Sequence, residues 1–169
     1  MKKIGYILSL VSLLICNGCG IYSFNGASIP PNVESFQVVF FQNEAPIVEP
    51  GIDLRFTRAL QARIQDQTNL SITTSNGDLL YEGEIVDYYI APQTSTSQNT
   101  ASQNRLTITI NVRFYNNKGD GEDDFEKRFS FFSDVGANTQ LIGSALDGAL
   151  EEIYERITQD IFNESLAKW

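Results

Sequence analysis

The chain has 169 residues, 42% of them hydrophobic, with 12 basic against 21 acidic side chains and no histidine. The length suits one domain with a real core. The acidity excludes a nucleic-acid surface, which must be basic to displace counterions, and the missing histidine excludes Ser-His-Asp and Cys-His catalysis and every histidine-ligated zinc site.

Lys2 and Lys3 precede an almost uncharged apolar run, Ile4 to Ile15, and the small Gly18 stands directly before Cys19. Basic start, short apolar stretch and small residue together make an export signal over residues 1–18, too short in its apolar part to span a bilayer. Ile15 is bulky, which makes Cys16 a poor processing site. The Gly18-Cys19 junction resembles the lipobox of bacterial lipoproteins, although Cys16 stands where leucine is usual and Asn17 where a small or hydroxyl residue is common. That resemblance implies acylation of Cys19, with each buried CH2 contributing about 0.8 kcal/mol, so several acyl chains would anchor the protein durably. A secreted protein with a free Cys19, or an uncleaved membrane helix, are the alternatives. Lys2 and Lys3 leave with the signal, so ten basic and 21 acidic residues remain, a net charge of −11. Such a body is held at a membrane by its lipid rather than by its charge. The C-x-x-C of Cys16 and Cys19 loses one member in processing, which leaves no redox pair.

Residues 19–34 carry turn formers and neither period, and read as a lipidated tether leading to one domain over 35–169. Ser35 to Phe41 predicts a central strand buried on both faces, with Phe36, Val38 and Phe40 on one side and Val39 and Phe41 on the other. A loop over 43–51 follows. Asp53 is placed to cap a helix reaching about Gln67, whose stripe is Ile52, Phe56, Ala59, Leu60, Arg63 and Ile64. Leu70 to Thr74 makes a short strand, Asn76-Gly77 a tight turn, and Leu79 to Ile90 a long strand whose register shifts near Val86. Pro92 to Ser102 is a polar connection. Leu106, Ile108, Ile110, Val112 and Phe114 alternate with polar neighbours in the clearest half-buried strand. A turn over 116–121 leads to a last strand marked by Phe125, Phe129 and Phe131, and a helix from about Thr139 to Lys168 lines up Leu146, Leu150, Ile153, Ile157 and Ile161. The expected fold is α+β, a two-layer sandwich with a mixed sheet of about five strands and two helices packed on one face.

Catalytic and metal sites find little support. A calcium loop opened at Asn116 would put Gly121 correctly at its sixth position, but Lys118 and Lys127 would occupy ligand positions, so Asp120, Glu122, Asp123 and Asp124 read as a solvated hairpin tip. Asp78, Glu82 and Glu84 have no convergent neighbours and read as a wet sheet face. No phosphate-binding glycine loop occurs, so no cofactor is expected. The uncovered sheet face, with Thr107, Thr109, Asn111, Arg113 and Tyr115 beside Arg128, suits docking to a protein or a headgroup phosphate as well as plain exposure. Arg105, Arg113, Lys127 and Arg128 would form any phosphate-facing patch.

Several stretches taken together resemble the LptE lipopolysaccharide-assembly lipoproteins, in the branch found in Bacteroidetes. They are Cys-Gly-Ile-Tyr-Ser-Phe at 19–24, Ser-Ile-Pro-Pro-Asn-Val at 28–33, Gly-Asp-Leu-Leu-Tyr-Glu-Gly-Glu-Ile at 77–85, Asn-Arg-Leu-Thr-Ile-Thr-Ile at 104–110, Asp-Ile-Phe-Asn at 160–163 and the terminal Trp169. The resemblance implies a non-enzymatic outer-membrane lipoprotein that sits inside and beneath the LptD β-barrel, helps it assemble and assists lipopolysaccharide delivery, with lipopolysaccharide itself a further ligand. Direct contact with that lipid calls for cations, against which this acidic composition stands. A periplasm-facing adaptor for another client, such as a secretion-pore pilot or a cell-wall adaptor, is the second reading.

Overall fold

The alternating and helical patterns become six strands and two helices in a computed structural model that describes residues 29–47, 49–93 and 103–167. In chain order these are β1 (Ser35–Val38), β2 (Gln42–Asn43), α1 (Ile52–Gln67), β3 (Ser71–Ile72), β4 (Leu79–Gln93), β5 (Gln103–Asn116), β6 (Phe125–Gly136) and α2 (Gly143–Leu166). The sheet order is β3-β1-β4-β5-β6, with β2 also paired to β4. β1 is parallel to β3 and β4, while β4, β5 and β6 are antiparallel. This is the expected α+β two-layer arrangement, with β2 raising the strand count to six. The signal segment, Cys19, most of the tether and residues 94–102 lie outside the described residues.

The long antiparallel strands owe their inner face to strict alternation: Leu106, Ile108, Ile110 and Val112 are fully buried, as a period of two requires when one face meets a core. On β4 the alternation breaks once. Ile85 pairs with Ile110 but Asp87 with Thr109, so Val86 is an extra residue, at the position anticipated from the sequence. The bulge keeps both Tyr81 and Tyr88 in the core although they differ in parity.

The expectation that Ser35 to Phe41 is one central strand buried on both faces is overturned. β1 ends at Val38 and lies one strand from the edge. Between the pairs Val38–Tyr81 and Gln42–Glu84 its line holds one residue more than β4. That irregularity turns Phe41 fully into the core, where its N–H donates to Thr57 Oγ1 at 3.1 Å, and leaves Phe40 47% exposed.

On α1 the buried residues are Ile52, Phe56, Thr57, Leu60 and Ile64. Gly51, at φ 82°, takes the N-cap position expected of Asp53, whose carboxylate instead accepts from the Leu54 N–H within the first turn. α2 begins at Gly143 rather than near Thr139, because the preceding residues form a turn in which the Thr139 N–H donates to the Gly136 carbonyl at 2.8 Å. Its expected stripe is buried throughout. Arg55 Nη1 meets Asp147 at 2.6 Å, Arg63 Nη2 donates to the Glu155 carbonyl at 3.4 Å, and Gln67 donates to Gln159 at 3.1 Å, each pair 92 residues apart. A constant separation of this kind means that the helices run parallel.

Asp78 ties the start of β1 to the β5–β6 hairpin. Its Oδ2 accepts the N–H groups of Glu34 and Ser35 at 2.9 and 3.0 Å, and its carbonyl accepts the Asn117 N–H from the β5–β6 hairpin. Asp124 closes that hairpin by accepting the Asn116 N–H at 2.8 Å. The acids at the tip therefore serve the turn in which they sit.

Candidate partner-docking face

Both helices cover one side of the sheet, and pairing register decides which side chains remain on the other. Opposite the core residues of β5 stand Arg105, Thr107, Thr109, Asn111 and Arg113; the matching positions on β6 are Asp134, Phe132, Ser130, Arg128 and Glu126. β4 contributes Glu82, Glu84, Asp87 and Tyr89. Lys127 pairs with Val112 and so lies on the helix side, where its Nζ meets Glu164 of α2 at 2.7 Å. The four expected cations are thus split between two faces. Sequence position alone hides this, since one residue along a strand reverses the side.

Two of the three arginines that share the open face are engaged there. Arg113 donates from Nε to Glu82 at 3.1 Å and from Nη1 and Nη2 to the two oxygens of Glu84 at 3.1 and 2.9 Å. Asn111 donates to both Glu84 and Glu126 at 2.8 Å, which links the three strands through one chain of charge-assisted bonds. The Arg113 guanidinium, foremost, holds the Glu84 carboxyl below its ordinary range, and Glu84 in turn raises the Arg113 group. Further along, Arg105 forms a two-bond fork with Asp134, both bonds 2.7 Å, while its guanidinium carbon lies 3.6 Å from the centre of the Phe132 ring. The hydroxyls of Thr109 and Ser130 are 3.0 Å apart, and Thr107 is buried between Tyr89 and Phe132. Arg128 also acts on Glu84, adding to its depression.

Six carboxylates, Glu44, Glu82, Glu84, Asp87, Glu126 and Asp134, surround the three arginines of this side. Chemically the face offers mainly acceptor oxygens and aromatic rings; of its three arginines, Arg105 and Arg113 are ion-paired, and Arg128 makes no ion pair among the described residues. A recess of about 230 Å³ opens in it beside the β1–β2 irregularity, lined by Val39, Phe40, Gln42, Glu44, Glu82, Gly83, Glu84 and Arg113. The sequence reading missed the recess, because it placed Phe40 in the core; the available signal was the run of four apolar residues from Val38 to Phe41, which does not alternate although Gln37 and Gln42 flank it.

The fold has counterparts among solved structures. Hypothetical protein CT253 from Chlamydia trachomatis superposes with a TM-score of 0.55 at 8% identity, over 80% of this chain and 99% of that one. A minor lipoprotein from Acinetobacter baumannii gives 0.42 at 14% identity over 81% and 98%, and rare lipoprotein B from Shewanella oneidensis gives 0.40 at 11% over 76% and 89%. At these identities the likeness speaks for the fold alone, and the two lower scores carry no argument. A comparison with curated proteins returned no match. The sequence profile described as LptE, lipopolysaccharide-assembly, matches residues 33–165, from the approach to β1 to the last turn of α2. On that extent of match, this chain belongs to the LptE lipopolysaccharide-assembly family.

Proposed function

We propose that the chain is processed before Cys19, acylated there, and held in the outer membrane facing the periplasm and the lumen of an LptD-like β-barrel. It serves lipopolysaccharide assembly by fitting against that barrel and catalyses no reaction. The observation that carries the reading is the family match over 33–165, which covers the domain nearly end to end. The physics is consistent with it: a body that fills a polar lumen needs a rigid core and polar outer faces. Of the residues singled out from the sequence, Arg105, Thr107, Thr109, Arg113 and Arg128 share the face proposed for partner contact, while Lys127 lies on the other side with Glu164.

Purification of the full-length acylated chain from native membranes tests this. A large β-barrel in stable complex is expected, together with less surface lipopolysaccharide when the chain is depleted. Recovery of an unacylated, solitary protein from cells whose surface glycolipid is normal without it would refute the proposal.

A further inference from the structure

We infer that the recess beside the β1–β2 irregularity receives an arginine or lysine side chain from the protein covering the open sheet face; this deepens the barrel-partner reading and rests on it. Two observations meet there. The first is charge: the face carries six carboxylates against three guanidinium groups, and Glu44, at the recess, has no ion-pair partner among the described residues. Glu82 accepts from Arg113 through Oε1 only, which leaves its second oxygen available to another donor.

The second is an exposed aromatic wall. Phe40 is 47% and Val39 37% exposed, although Phe41 beside them is completely buried. Burial of such a patch would be favourable, and a cation that enters it meets a ring face as well as carboxylates. The protein already builds this combination once on the same face: the Arg105 guanidinium lies between the Asp134 carboxylate and the Phe132 ring. A basic side chain from outside would reproduce it between Glu44, Glu82 and Phe40. A second copy of this chain would bring the same acidic face and be repelled, as would an anionic headgroup. Complementary charge therefore selects a basic protein surface.

The test uses the full-length acylated chain in its native membrane, with Phe40→p-benzoylphenylalanine as a photoprobe that keeps a ring in place. Irradiation is expected to join it to a β-barrel peptide that contains arginine or lysine. Glu44→Lys should lower that cross-link about tenfold, and reversal of the partner's basic residue to glutamate should restore it. A control probe at Ala62→p-benzoylphenylalanine, on the helix layer, should not respond to Glu44→Lys. Cross-links to residues 20–28 of the same chain, to a second copy or to lipopolysaccharide would overturn the inference, as would a yield indifferent to Glu44→Lys. A barrel that co-purifies but is reached only from position 62 would overturn the inference and leave the barrel reading intact. Absence of any barrel would remove both.

Discussion

Gly83 shows how one missing side chain sets the geometry around the recess. A Cβ there would be driven into the Asn111 carbonyl oxygen and come within 2.7 Å of the Phe41 ring. The position thus admits both the close β4–β5 approach and the inward turn of Phe41. Gly83→Ala is expected to lower stability by about 3 kcal/mol through overpacking, read as a lower denaturant midpoint with an unchanged slope. The ion network makes a different demand. The carboxyls of Asp78, Glu84 and Asp134 are held below their ordinary values, chiefly by the Glu34 N–H, by Arg113 and by Arg105 respectively. Unfolded, they titrate near about 3.9 to 4.3, so between the two states' values the unfolded chain binds more protons. Their stabilisation is therefore complete above about pH 5 and is lost as pH falls through about 4 toward the folded values. Urea midpoints should be flat from neutrality to about pH 5 and decline below that, and Asp78→Asn should flatten the decline.

At the scale of elements, α2 is the best-packed helix and the worst capped. Ile142 holds its N-cap position with extended φ and ψ, makes no side-chain cap and is 67% exposed. Ile142→Asp should give the first-turn N–H groups an acceptor and raise stability by about 1 kcal/mol, visible as a higher melting temperature. At the other end of α2, the buried Tyr81 hydroxyl donates to Ser165 Oγ at 3.0 Å, and Ser165 in turn donates to the Ile161 carbonyl. Tyr81→Phe removes only the first of these bonds, and a loss of about 1 kcal/mol is expected in the same melting measurement. These elements also show what was legible beforehand. The stripe on α2, the alternation on β5 and the bulge near Val86 follow from period alone, because each buries one side against a single continuous core. Phe40 and Lys127 were misplaced because their side depends on an irregularity and on pairing register, both set by strands distant in sequence. The cap at Asp53 failed for a local reason: Gly51, one residue ahead of the helix, could adopt the left-handed turn that starts it.

For the molecule as a whole, anchoring and folding should be separable. The core runs from Val33 to Ala167, so Cys19→Ala should release the protein from the membrane fraction in cells while the melting temperature stays unchanged. The two halves of the open face, by contrast, should respond together: Arg113 and Asn111 tie β4, β5 and β6 into one rigid plate, so a partner that grips one strand grips all three.

The parallel setting of α1 and α2 has a last consequence. Aligned helices add their dipoles, and here both electropositive poles point toward Ile52 and Gly143 while both electronegative poles lie toward Gln67 and Leu166. Ile29 and Pro30 line the same hollow as Ser165 and Leu166. The helix layer is therefore polarised like a bar magnet, with its negative end toward that hollow. Positive groups are therefore favoured beside that hollow and negative ones beside Ile52 and Gly143, within about one turn of each helix end.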